Sequence, residues 1–166
     1  MTQGSGIAQL QIEDLIQALG GRSLAAGSGA AGAVTLALAA ACAAKAAAIT
    51  FKHHPETAAL GSHQEHLERL ARFALAGADE DAEAFAAFIK EQTLGAVTEL
   101  LRQGNRTLRL IDILSATVES LAPQVDPNMR GDIVAARALL AAARTIQLHN
   151  SAEARAQQDQ LNRTPS

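Results

Sequence analysis

Apolar residues recur at helical spacing along most of this chain. Ile7, Leu10, Leu15, Ile16 and Leu19 predict a first helix, and Gly20-Gly21 is its natural stop. A loop from Arg22 to Ser28 comes next, whose small residues let backbone approach a ligand closely. Residues 25–50 then lose any polar face. Alanine dominates, Lys45 is the one charge, and Ser28, Thr35 and Thr50 are the hydroxyls. Alanine is the best helix former, so nothing after Gly32 opposes a helix to about Thr50. A helix apolar all round belongs inside protein or lipid, and its small side chains admit close neighbours. We read it as the central rod of a bundle.

The pattern beyond it is amphipathic. Pro55 closes the central helix near Phe51-Lys52-His53-His54. Ser62-His63-Gln64-Glu65 reads as a capping box, opening a long helix to about Thr93. Its inward positions are Leu67, Leu70, Phe73 or Ala74, Leu75, Ala78, Ala82, Phe85, Phe88 and Ile89. Two shorter helices are expected next. One runs from Leu94 to Arg102 and stops at Gly104-Asn105; the other spans about Thr107 to Ala122, with Leu108, Ile111, Leu114, Val118 and Leu121 inward. Asp126-Pro127 marks the start of the last helix, aspartate capping and proline at the first position. That helix turns Ile133, Val134, Leu139, Leu140, Ile146 and Leu148 inward and loses its stripe after Asn150. Residues 1–6 and about 152–166 are expected to be flexible, the latter as a solvated helical end or a disordered tail. The class is all-α, a single domain spanning 1–166.

Composition narrows this picture. Trp and Tyr are absent and Phe numbers four, and alternating β-branched runs are missing, so a sheet is not expected. With 48% hydrophobic residues in 166, the chain can fill a core without staples. The central run is long enough for a bilayer, but alanine supplies little transfer energy and no aromatic anchors flank it. It also lacks the basic flank of a signal peptide. Net charge is −3, basic runs are missing, and base-stacking aromatics are lacking, which argues against nucleic acid. The single Cys42 lies in the alanine helix and reads as a small hydrophobe. The cytoplasm is the expected location, with no membrane partner.

Three polar groupings invite chemistry. In Asp79-Glu80-Asp81-Ala82-Glu83-Ala84-Phe85, Asp81 borders the packing face while Glu80 and Glu83 can point to water. Partial desolvation and like charges would raise the Asp81 pKa toward the range useful for proton transfer. The plain alternative is a solvated acidic turn. His53, His54, His63 and His66 lack the third ligand and spacing of a zinc site, so no metal is expected. Arg130, Arg137 and Arg144 recur every seven residues, either as an anion-binding rail or as a solvated, ion-paired face.

Taken in order, these features resemble the cyclodeaminase/cyclohydrolase family of folate enzymes. Members open with a Pro-Gly-Gly-Gly-Ser turn into a long alanine-rich helix ending in Leu-Thr. Here Ala25-Ala26-Gly27-Ser28 enters such a helix and Ile49-Thr50 ends it. The acidic segment from Asp79 to Phe85 is almost a family signature. The segment Asp126-Pro127-Asn128-Met129-Arg130-Gly131-Asp132-Ile133-Val134-Ala135-Ala136 resembles the family's Asn-Pro-Asn-x-x-Ser-Asp-x-x-Val-Ala-Ala. The turn here lacks the proline and two of its glycines, and Gly131 stands where the family has serine.

The resemblance implies an all-helical homodimer that binds folate in a cleft, with no cofactor beyond the tetrahydrofolate substrate. It places the catalytic aspartate on Asp81 and substrate contacts on Ser28, Lys52, Asn128 and Asp132. The expected reaction is hydrolysis of 5,10-methenyltetrahydrofolate to 10-formyltetrahydrofolate, Asp81 serving as base and then acid. The arginine stripe would meet the glutamate tail of folate. Two alternatives stand beside it: a formiminotetrahydrofolate cyclodeaminase releasing ammonia, or a non-catalytic helical dimer binding a folate-like ligand or a protein.

Overall fold

A computed structural model describes residues 11–21 and 26–163. The helix expected from Ile7 is seen from Ile12, its earlier residues and the loop residues 22–25 lying outside the described part. Five α-helices succeed one another: α1 (Ile12–Gly20), α2 (Ser28–His53), α3 (Ala58–Glu91), α4 (Leu94–Leu121) and α5 (Arg130–Arg163). No strand occurs among the described residues. The all-α class is therefore as expected.

The alanine helix is the rod of the bundle. Helix α2 packs along α3 on one side and α5 on the other, and α4 bridges α3 to α5 across from it. Ala39, Ala40, Ala43, Ala44, Ala46 and Ala47 are all buried, so neighbouring backbones come close to α2. The bulky half of the core comes from its neighbours: Leu60, Leu67 and Leu70 on α3, Ile111, Leu114, Val118 and Leu121 on α4, and Ile133 and Leu140 on α5. Cys42 is half-buried and packs against this core. A smaller cluster of Ala26, Ala30, Ala33 and Ala78 joins the start of α2 to α3, with Ala18 and Leu19 of α1 resting on it. By length and composition alone α2 could cross a membrane; here α3 and α5 pack along it and bury part of its apolar surface.

Several local expectations change. Helix α3 begins at Ala58, one turn before the capping box, which therefore lies inside the helix. The reason is packing: Leu60 in the first turn is buried and Gly61 sits against the Phe51 ring, so the α2–α3 turn is tight and pulls the helix start forward. The two short helices are one, because α4 runs unbroken through Gly104-Asn105. Gly104 is a contact point, where a Cβ would lie 2.7 Å from Gln147 Nε2 and 2.9 Å from Ser151 Oγ. Its glycine serves close approach to α5, not termination. Thr93 is the true start of α4, its hydroxyl accepting from the Ala96 N–H at 3.2 Å.

On α3 the choice between Phe73 and Ala74 falls to Ala74, which is buried while Phe73 is 69% exposed. Ile89, Val134 and Leu148 are exposed as well, contrary to the inward assignment. Asp126 does not cap a helix with its side chain. Pro127–Met129 form a short 3-10 turn before α5, and the Asp126 carboxylate turns to His53 and His54 instead. Helix α5 continues to Arg163, so residues 152–163 form the solvated helical end, residues 164–166 lying outside the described part.

Candidate functional site

The first turn of α2 meets the middle of α3 at two small residues and one acid. Asp81 lies against Gly29, and a Cβ on Gly29 would overlap the Asp81 carboxylate. Only glycine leaves room for that approach. No hydrogen bond or ion pair to Asp81 is present among the described residues, although α2 starts beside it and a helix N-terminus favours anions. Burial therefore decides its chemistry and raises the Asp81 pKa above the ordinary carboxylate value. One residue earlier, the Ser28 hydroxyl donates to Asn150 Oδ1 at 2.9 Å, tying the start of α2 to α5.

Asp81 also lines a cavity of about 420 Å³ between α3 and α4. Ala33, Leu36, Ala74, Gly77 and Leu110 make its apolar wall, with Phe73 and Ile113 at the rim. Its polar lining is Glu80, Gln103, Arg106, Thr107 and Arg109 beside Asp81. Glu80, expected in water, accepts from Arg106 at 3.1 Å. The volume is in the usual range for a small-molecule site, and an unpaired carboxyl of raised pKa inside it can exchange a proton with whatever enters.

The sequence profile of the formiminotransferase-cyclodeaminase family matches residues 11–107, more than half of the chain and the part that carries Gly29 and Asp81. The chain belongs to the formiminotransferase-cyclodeaminase family. Its fold is similar to the crystal structure of formiminotetrahydrofolate cyclodeaminase from Thermotoga maritima, with a TM-score of 0.80 at 21% identity, covering 94% of this chain and 88% of that one. No curated protein matches the sequence.

Within this family member, the five residues assigned by resemblance separate into two groups. Ser28 and Asp81 stand together at the start of α2. Lys52, Asn128 and Asp132 stand at its other end, Lys52 in the last turn of α2, Asn128 exposed in the 3-10 turn, and Asp132 opening α5. Asp132 accepts from Lys45 at 3.2 Å. Gly29 and Lys45 are sixteen residues apart on one helix, about 24 Å along its axis, so a single chain does not bring the groups into one cleft. Thr50, which ends the alanine helix in the resemblance, is buried there and holds the far end together. Its hydroxyl donates to the Ala46 carbonyl at 2.8 Å and accepts from the Asp126 N–H at 3.0 Å.

Of the arginine stripe on α5, Arg130 opens the helix between Asn128 and Asp132, while Arg137 and Arg144 lie further along it. Arg137 grips Glu119 through two bonds of 2.8 and 2.6 Å, and Arg144 pairs with Asp112, so both staple α5 to α4. For Arg137 and Arg144 the ion-paired face is the one observed, with pairs between helices. His53 and His54 meet Asp126 at 2.6 and 3.1 Å, and no metal-holding cluster occurs among the described residues. Arg106 and Arg109, and the room that Gly29 makes, are not foreseen by the sequence pattern. The arginines are hidden by breaking α4 at Gly104, which dissolves the face on which positions 103, 106, 107 and 110 line up.

Proposed function

We propose that this protein is a formiminotetrahydrofolate cyclodeaminase, closing the formimino group onto the neighbouring nitrogen of tetrahydrofolate and releasing ammonia. The observation that carries the reading is Asp81, half-buried, unpaired among the described residues and facing a substrate-sized cavity. Ring closure removes a proton from the attacking nitrogen and needs one delivered to the departing nitrogen. A single carboxyl of raised pKa suits both transfers, as base and then acid. Its negative form also favours the positive charge that builds on the amidine carbon and its nitrogens. No cofactor beyond the tetrahydrofolate substrate enters this scheme.

The family match supports this reaction ahead of methenyltetrahydrofolate hydrolysis, which is the second activity to assay because it opens the same cyclic amidine. We place the protein in the cytoplasm and read it as a homodimer. A second copy lying antiparallel on α2 would set Ser28 and Asp81 of one protomer beside the partner's Lys52, Asn128 and Asp132, uniting the two groups that one chain separates.

The test measures ammonia release and methenyl absorbance from formiminotetrahydrofolate, with hydrolysis of the methenyl compound followed in parallel. Wild type should release ammonia, and Asp81→Asn should lower kcat by about a hundredfold or more, the usual weight of a proton-transferring side chain. Gly29→Ala should act likewise by pushing the carboxylate aside. Ammonia release unchanged in Asp81→Asn would remove that residue from the chemistry. A wild type active only on the methenyl compound would restore the hydrolytic reading, and one inactive on both would favour a non-catalytic binding protein.

A further inference from the structure

Two successive carboxyls of α3 line the same cavity in different states. Asp81 has no ion pair among the described residues. Glu80 accepts from the Arg106 guanidinium of α4 at 3.1 Å. The same Arg106 nitrogen donates to Gln103 Oε1 at 3.2 Å, three residues back on its own helix. The guanidinium is thus steadied on α4 while it holds an acid of α3.

Among the described residues, the charged lining of this cavity is Glu80 and Asp81 from α3 and Arg106 and Arg109 from α4, while α2 contributes Ala33 and Leu36. Successive residues have Cα atoms about 3.8 Å apart, so an unheld Glu80 can swing its charge toward Asp81. A like charge so near makes the second carboxyl harder to ionise. Burial already raises the Asp81 pKa, and Arg106 takes up the charge of its neighbour. The Glu80 and Arg106 side chains are 43% and 49% exposed, and such a pair contributes little to stability. Its effect falls on the acid beside it.

Building on the proposed proton-transfer role of Asp81, we infer that Arg106 is a positioning residue, which turns Glu80 toward α4 and balances its charge so that Asp81 is the carboxyl of the cavity that exchanges a proton. Arg106 acts through Glu80 and leaves the reacting atoms to Asp81. Two carboxyls free in one cavity would instead titrate as a coupled pair, and neither would keep the proton affinity that a base and then acid needs.

The experiment follows melting curves across pH, which need no substrate. The gain in melting temperature from Asp81→Asn rises with pH and levels off once the folded protein has lost the Asp81 proton. That levelling point should move up by roughly half a pH unit in an Arg106→Ala background, the effect of one partly solvated charge nearby. Adding Glu80→Gln should bring it back, and Arg106→Lys should keep it near the wild-type position. In turnover, the acid limb of kcat/KM for ammonia release should move by the same amount and in the same order. A merely structural Arg106 would lower the melting temperature of Arg106→Ala at every pH and leave the levelling point in place, which overturns the assignment. So does a levelling point that stays high after Glu80→Gln is added. The expected pattern in a protein that releases no ammonia would uphold the role of Arg106 and remove the cyclodeaminase reading alone.

Discussion

At the scale of single residues, the proposed chemistry rests on Asp81, an acid perturbed by burial. Among the described residues Asp81 has no cation to hold its charge, and burial makes its carboxyl keep its proton to higher pH than an ordinary aspartate, whose value is 3.8. The folded state therefore binds the proton more tightly than the unfolded chain does, and the ionised carboxylate destabilises the fold above that range. Asp81→Asn should accordingly raise the melting temperature at pH 7. The gain should shrink as pH falls and vanish below about pH 3.8, where the carboxyl is protonated in folded and unfolded chains alike. Melting curves of both proteins across pH check this; a difference that does not change with pH would mean that the site does not desolvate the charge. Asp126 is the opposite case. Hydrogen bonds and charge from His53 and His54 hold its carboxyl below the usual range.

Among the elements, helix pairs are set by where small residues let backbones meet. Gly104 of α4 is buried against Gln147 and Ser151 of α5, themselves buried and hydrogen-bonded to each other at 3.3 Å. A methyl group there has no free space, since neither partner can swing into solvent. Gly104→Ala should destabilise the fold by about 1–3 kcal/mol through overpacking, less the ~1 kcal/mol that alanine gains over glycine in a helix. Urea unfolding measures the balance, and a neutral or stabilising result would mean that α4 and α5 have slack at this crossing. The same element shows why part of the site was hidden. In the sequence, Gly104-Asn105 looks like a helix stop, and only its burial against α5 shows that the helix runs through it.

In the molecule as a whole, α2 keeps one apolar side uncovered. Leu38 is 51% exposed, and Ala41 beside it and Lys45 one turn on are exposed too. The proposed homodimer would cover this stripe. Light scattering should then give about twice 17.2 kDa at micromolar concentration, and Leu38→Glu should reduce it to the single-chain mass while leaving the helical content intact. A wild-type mass of one chain, or a dimer indifferent to Leu38→Glu, would remove this arrangement and leave Lys52, Asn128 and Asp132 outside the site.

The helical class, the central alanine rod and an acidic turn at 79–83 bordering the packing face were legible in the order of residues alone. Each is written in short-range signals: propensity, a 3.6-residue period, and a charged turn bordering a packing face. Which residues meet was not legible there. Gly29 makes room for Asp81, and Gly104 joins helices instead of ending one. Arg137 and Arg144 face acids on α4, while Arg109 is left to the cavity. All of these are contacts between positions tens of residues apart, so they exist only once the bundle is packed. Their partners are chosen by close packing around a rod of small side chains, which local pattern does not encode.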